Sequence, residues 1–308
     1  MGPSNRNLLT LLDYEGDEIL MVLQQAARLK AARLTGDPKP LRDRTGVLIF
    51  EKPSLRTRIT FETGIHELGG HPVNLESTMV QLGKRESVED VARNLERWVH
   101  LIVARTFSHT TIEQLAAHSS IPVINALTDT FHPCQALAFM QTLHERIGAD
   151  SKANILFIGD GNNVCISLMS ICAKLGYRFT LACPPGYEVP APVFQRIQHA
   201  CSNTGAAIAM QPDLNSAIAS AEVIYTDVWA SMGQEKETEK RKKAFTGYQV
   251  NSQLLARASR DVLVSHCLPA HRGEEITSEV LDADFSMALD EAENRLHVQK
   301  AIISHLLT

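Results

Sequence analysis

Residues 101–146 read LIVARTFSHTTIEQLAAHSSIPVINALTDTFHPCQALAFMQTLHER, and their alternation decides the fold. Leu101 to Ala104 is a short continuous apolar run, Thr111 to His118 carries helical spacing, Val123 to Ala126 is a second short run, and a helix is expected from about Cys134 to Arg146. Continuous apolar runs of this length belong to strands buried on both faces, and helices of this length are the crossovers that parallel neighbours require. The stretch therefore predicts an open parallel sheet with helices on both of its faces.

The same grammar extends in both directions. Towards the N-terminus stand a helix from Glu18 to Leu34, a strand over Gly46 to Phe50, a helical pattern over Thr57 to Leu68 and a strand over His71 to Leu75. Ser87-Val88-Glu89-Asp90 has the form of a capping box opening a helix to Val99. After Gly148-Ala149-Asp150-Ser151 the pattern restarts, with strands expected at Asn154 to Ile158, Arg178 to Ala182, Ala207 to Met210, Val223 to Thr226 and Val262 to Ser265. The expected class is α/β, with two domains of similar size over residues 1–148 and 149–291. Each is an open parallel sheet flanked by helices, with an active site expected in the cleft between them. A final amphipathic helix over about 292–308 could pack back on the first domain or stay with the second.

Composition narrows the class of function. A net charge of −5 argues against a nucleic-acid partner, and no apolar run reaches the roughly 20 residues that span a bilayer, so no membrane partner is expected. Met1-Gly2-Pro3-Ser4-Asn5-Arg6 lacks an apolar targeting region, which favours a cytoplasmic protein. Six cysteines stand without a C-x-x-C pair, so reduced thiols are expected and neither a disulfide framework nor a metal site.

Open α/β sheets bind ligands beyond the carboxyl ends of their strands. In the first half those ends carry Ser54-Leu55-Arg56-Thr57-Arg58, Arg105 and His132-Pro133-Cys134-Gln135. Ser54 can cap the following helix, so backbone N–H groups and the positive helix end would face an anion beside the forked donors of Arg56 and Arg105. Taken alone, residues 54–58 also fit a capped helix with solvated arginines; Arg105 and His132 at equivalent strand ends favour the anion cradle. In the second half the ends carry Asn162 and Asn163, then Asp227 to Gly233, then the His266-Cys267-Leu268-Pro269 corner. A carboxylate, amides and the Ser231 hydroxyl suit an amino-acid head group, with its ammonium on Asp227. Gly159-Asp160-Gly161 lacks the third glycine of a dinucleotide fingerprint, since Val164 stands there, and no acidic residue follows about 20 positions on. No nicotinamide site is expected, nor any other cofactor.

Together these strings closely resemble the aspartate/ornithine carbamoyltransferase family over nearly the whole chain, and its ornithine branch in particular. The resemblance implies that Ser54, Leu55, Arg56 and Thr57, with Gln81, Arg105, His132 and Gln135, bind carbamoyl phosphate. Cys267, Leu268 and Arg295 match further active-site positions of that group. Asn163, Asp227, Ser231 and Met232 match the residues that hold L-ornithine. The implied reaction is attack of the neutral δ-amino group on the carbamoyl carbon, giving citrulline and phosphate, with Arg105, His132, Gln135, Cys267 and Asp227 at the reacting groups. The resemblance further implies a homotrimer in which a loop around Gln81-Leu82-Gly83-Lys84 completes a neighbour's phosphate site, and a lid over Ser231 to Glu235. Leu55 replaces a usual threonine, and Phe139 stands where aspartate is common. Transfer to putrescine or to an acylated ornithine, and a silent ligand-sensing homologue, remain as alternatives.

Overall fold

The computed structural model describes residues 7–33, 35–36, 39–76, 82–230 and 235–307. The chain forms two compact units, 1–141 with 293–308 and 142–292, so the division falls inside a helix, Pro133–Ile147, and a second time inside the last helix, Ala288–Leu307.

The first unit is built on four parallel strands, β1 (Thr45–Phe50), β2 (His71–Glu76), β3 (Leu101–Arg105) and β4 (Val123–Leu127), in the order β2-β1-β3-β4. β3 and β4 are buried at every position, which is why they read as continuous apolar runs. One face packs Val47, Ile49, Ile102, Ala104 and Val123 against helix residues Val91, Leu95, Ile112 and Leu115. Sequence order reverses between β1 and β3, which makes their carboxyl ends the ligand-binding crevice of this sheet. There the β3–β4 register slips, from Ala104 opposite Asn125 to Arg105 opposite Leu127. Arg105 is thus the last residue of its strand, and not the first beyond it, because Phe50 and Leu127 still pair with it on either side.

Ser87 accepts a bond from the Asp90 amide (3.0 Å) and opens the helix Val88–Leu95. That helix stops short of Val99: the amides of Arg97 and Trp98 turn back to Asn94 and Leu95, leaving Trp98 69% exposed.

The second unit carries five parallel strands, β5 (Asn154–Ile158), β6 (Arg178–Ala182), β7 (Ala207–Met210), β8 (Val223–Thr226) and β9 (Leu263–His266), in the order β7-β6-β5-β8-β9. Its reversal lies between β5 and β8. The helix after β5, Asn163–Leu175, is buried on nearly all sides and is closed by Gly176 at φ 75°, a left-handed end at which a Cβ would lie 2.5 Å from the Thr204 carbonyl oxygen. The last helix starts at Ala288, earlier than its apolar spacing indicates, because Val264 of β9 bonds both Phe285 (3.1 Å) and Met287 (2.7 Å) and fixes the chain entering it. Among the described residues no helix is long and apolar enough to cross a membrane.

Candidate active site

In the first unit the chain leaves β1 and turns directly into the helix Leu55–Glu67, whose Thr57 amide is capped by Ser54 Oγ at 3.3 Å. The first-turn amides and the positive helix end therefore open on the side of the strands' carboxyl ends, with Leu55 71% exposed at the helix tip. Thr57 faces inward and is buried, and its hydroxyl accepts a bond from Arg295 Nη2 at 2.9 Å. The other fork of Arg295 donates to Gln135 Oε1. Gln135 lies in the first turn of Pro133–Ile147, where proline at the first position suits a helix start. Arg295, Thr57 and Gln135 are all buried, so a guanidinium from the end of the chain ties together two helix starts that follow different strands.

His132, one residue before that helix, is buried too. Burial first, then the charges of Arg295, Arg105 and Arg56, hold its imidazole well below the usual histidine range. It is therefore neutral at pH 7, with an N–H to donate. The charges of Arg56, Arg105 and Arg295 thus all act on this imidazole. Phe139 lies deeper on the same helix in the core, fully buried.

In the second unit Asp227 follows β8 and is 6% exposed. Its Oδ1 accepts from Cys267 Sγ (2.9 Å) and the Val228 amide (2.8 Å), and its Oδ2 from Asn162 Nδ2 (2.7 Å). Asn162 is itself fixed, because its Oδ1 caps the helix Asn163–Leu175 through the Val164 and Cys165 amides, both at 3.0 Å. Asn163 begins that helix, partly exposed beside the cap.

The Cys267 corner has a rigid backing. His266 is the last residue of β9 and not the first beyond it; its Nδ1 accepts from the Leu268 amide (2.8 Å), so Nε2 carries the proton towards Glu275 Oε1 (3.1 Å). Glu275 also accepts from the His271 amide (2.6 Å). Leu268 sits at φ 53°, a left-handed conformation uncommon without glycine, and the His266 bond holds it there. Ligand atoms of Asp227, His266 and Cys267 lie within 4.8 Å of one another, but both imidazole nitrogens are already engaged, which disfavours metal ligation by this set.

The structure brings Thr57, Gln135 and Arg295 together with His132, Arg56 and Arg105 in the first unit, and Asp227 with Cys267 and Asn162 in the second. Leu268 belongs to the second unit, as does Asn163. Gln81, Ser231 and Met232 lie outside the described residues, as does most of the expected lid. Sequence reasoning missed Glu275, Glu291 and Tyr225. Glu291 is fully buried and accepts from both Tyr225 Oη (2.7 Å) and Ser265 Oγ (2.5 Å). No local motif announces these residues, because their partners lie on other elements.

Residues 6–145 match the carbamoyl-phosphate-binding domain, and 151–306 the aspartate/ornithine-binding domain, of the aspartate/ornithine carbamoyltransferases. The chain belongs to this family. An ornithine carbamoyltransferase of Halalkalibacterium halodurans is 48% identical over 98% of this chain and 95% of its own. The ornithine carbamoyltransferase structure from Pyrococcus furiosus superposes with a TM-score of 0.94 at 43% identity, covering 98% of this chain and 97% of that one. An N-acetyl-L-ornithine transcarbamylase structure gives 0.85 at 31% identity, covering 96% and 98%. Arg56, Arg105, His132 and Gln135 thus fall in the segment matching the carbamoyl-phosphate domain, and Asp227, Cys267 and Arg295 in the segment matching the aspartate/ornithine-binding domain.

Proposed function

We propose that the chain transfers the carbamoyl group of carbamoyl phosphate to the δ-amino group of L-ornithine, releasing L-citrulline and phosphate. The observation that carries this reading is the buried Asp227 carboxylate gathering Cys267, Asn162 and a backbone amide. Such an anion suits a substrate bearing a free ammonium. Full-length similarity to proteins named ornithine carbamoyltransferase supports it.

The parts divide as follows. The helix start at Ser54, Leu55, Arg56 and Thr57 binds the phosphate with Gln81 and Arg105. His132, neutral, donates its N–H to the carbamoyl oxygen, where charge grows as the tetrahedral intermediate forms. Gln135, held by Arg295, orients the carbamoyl NH₂. Cys267 and Leu268 complete the carbamoyl-phosphate set. Asn163, Asp227, Ser231 and Met232 hold ornithine. An alkylammonium has an unperturbed pKa near 10, so the site must select or create the neutral amine. Asp227 with Cys267 serves that step: the nitrogen–carbon bond forms, the carbon–oxygen bond to phosphate breaks, and the amine proton leaves towards this pair. The carbamoyl-phosphate domain is assigned to 1–148 and the ornithine domain to 149–291. The setting is a cytoplasmic homotrimer in an arginine-biosynthetic or urea-cycle type of step.

A citrulline-forming assay with ornithine, putrescine and N-acetylornithine in parallel tests the reading. Turnover of ornithine alone is expected. Preference for N-acetylornithine would move the chain to the second reading, which the 31% identical transcarbamylase keeps open.

A further inference from the structure

Glu291 takes no part in the roles assigned above, yet it is fully buried, in the first turn of the helix Ala288–Leu307. The helix dipole favours a carboxylate there. Its two oxygens accept from hydroxyls on adjacent strands, Tyr225 of β8 and Ser265 of β9. These two residues are directly opposite each other in the parallel ladder. Side chains two positions apart share one face of a strand. Two positions beyond Tyr225 stands Asp227, and two beyond Ser265 stands Cys267, which touch each other at 2.9 Å. Asp227 and Cys267 lie just past the ends of β8 and β9, so their bond stands one step beyond the last paired rung, Thr226 opposite His266.

The helix carrying Glu291 cannot drift along the sheet. Its entry is bonded to Val264, next to Ser265, and the Glu291 amide bonds Met287 at 2.8 Å. Tyr225 is held from the opposite direction by Phe157 of β5, stacked at 5.6 Å with an interplanar angle of 13°. Tyr225 and Ser265 are both fully buried.

We propose that Glu291 is a positioning residue for the amine substrate: by holding Tyr225 and Ser265 it sets the separation of Asp227 and Cys267. The proposal rests on the ornithine reading of that pair. A stability role alone explains the trio poorly, since burying a carboxylate costs free energy and an apolar replacement of a buried polar group is often neutral or stabilising.

The test compares steady-state kinetics of wild type, Tyr225→Phe, Ser265→Ala, Glu291→Gln and the apolar triple Tyr225→Phe/Ser265→Ala/Glu291→Leu, with both substrates varied. Each single change removes one hydroxyl or one charge and leaves the volume nearly unchanged, so the singles carry the test even where the triple fails to fold. The expected result is a rise in ornithine KM of about tenfold in Tyr225→Phe and Ser265→Ala, with carbamoyl phosphate KM rising several-fold less, since of the displaced pair only Cys267 also belongs to the carbamoyl-phosphate set. Glu291→Gln, which keeps one acceptor oxygen, should lie between these and wild type. Ornithine kinetics like wild type in the single variants, or a fall in kcat with both KM values unmoved, would overturn the positioning role. A wild-type protein that carbamoylates no ornithine would instead overturn the functional reading on which it rests.

Discussion

Replacing Arg295 by alanine tests the basic half-site most directly, because its two forks each meet a buried partner. Arg295 Nη2 donates to Thr57 Oγ1 at 2.9 Å and Nη1 donates to Gln135 Oε1. Thr57 and Gln135 are each 1% exposed, so water cannot take the place of the lost donors without rearrangement. Leaving a buried acceptor unsatisfied costs about 1–3 kcal/mol, and two such losses come to about 2–6 kcal/mol. Relief from burying the guanidinium itself offsets part of this, so the lower half of that range is expected. At about 2–4 °C per kcal/mol for a unit the size of the first one, its melting temperature should fall by at least about 4 °C. Arg295→Lys separates charge from geometry: one ammonium on a flexible stem reproduces the charge beside His132 but not the planar fork. The lysine variant should recover little of the stability and little of the carbamoyl phosphate affinity. Calorimetric melting and isothermal titration of carbamoyl phosphate read the two effects separately. An alanine variant that melts within about 1 °C of wild type, or a lysine variant with wild-type affinity, would show that the double bond to Thr57 and Gln135 does not organise the site.

His132, held well below its ordinary value of 6.5 by burial and then by the three arginines, makes stability depend on pH. Below pH 6.5 the unfolded chain takes up this proton and the folded one does not, so the group's contribution is complete above 6.5 and declines as pH falls, by at most about 1.4 kcal/mol per pH unit. Urea unfolding at pH 7.5 and 5.5 should show a smaller loss for His132→Asn than for wild type; equal losses would mean that His132 protonates freely in the folded protein. Asp227→Asn should lower kcat/KM for ornithine by about 10²-fold or more, with calorimetric binding of carbamoyl phosphate retained, and loss of both would assign Asp227 a general structural role. At Gly161 an added Cβ would lie 2.6 Å from the Val189 nitrogen and 2.7 Å from the Glu188 carbonyl carbon, both backbone atoms that cannot swing aside. Gly161→Ala should therefore destabilise by about 1–3 kcal/mol in denaturant titration and weaken ornithine binding through the neighbouring Asn162; a neutral result would show that the 187–189 loop yields.

What could be read from the sequence follows the range of the interactions. The strands at 154–158 and 223–226 coincide with apolar runs because their burial is written locally, while 178–182 and 207–210, more exposed, are still bounded where expected. Ser54 and Ser87 are legible as caps for the same reason, each bonding an amide three residues on; Asn162 reads as a ligand-facing amide, and its capping of the Val164 and Cys165 amides appears only in the structure. Spacing alone puts Arg105 and His266 just past their strands, since a strand's last residue is fixed by pairing with neighbours that spacing does not show. Arg295 bonds partners 160 and 238 positions away, so only resemblance could draw it into the site. Glu291 and Glu275 had no signal at all: a glutamate in a first turn, or in a charged stretch, reads as solvated until its buried partners are seen.

The first unit is discontinuous, closing only when residues 293–308 join residues 1–141. Its buried tie between Thr57 and Gln135 waits on Arg295, and its helix Leu55–Glu67 on Lys300, whose ammonium meets Glu67 at 2.8 Å. A ribosome delivers those residues after every strand of the second unit. The part of the chain made first is therefore the part finished last, and the nascent protein cannot hold a complete basic half-site before its amino-acid-binding unit has been synthesised.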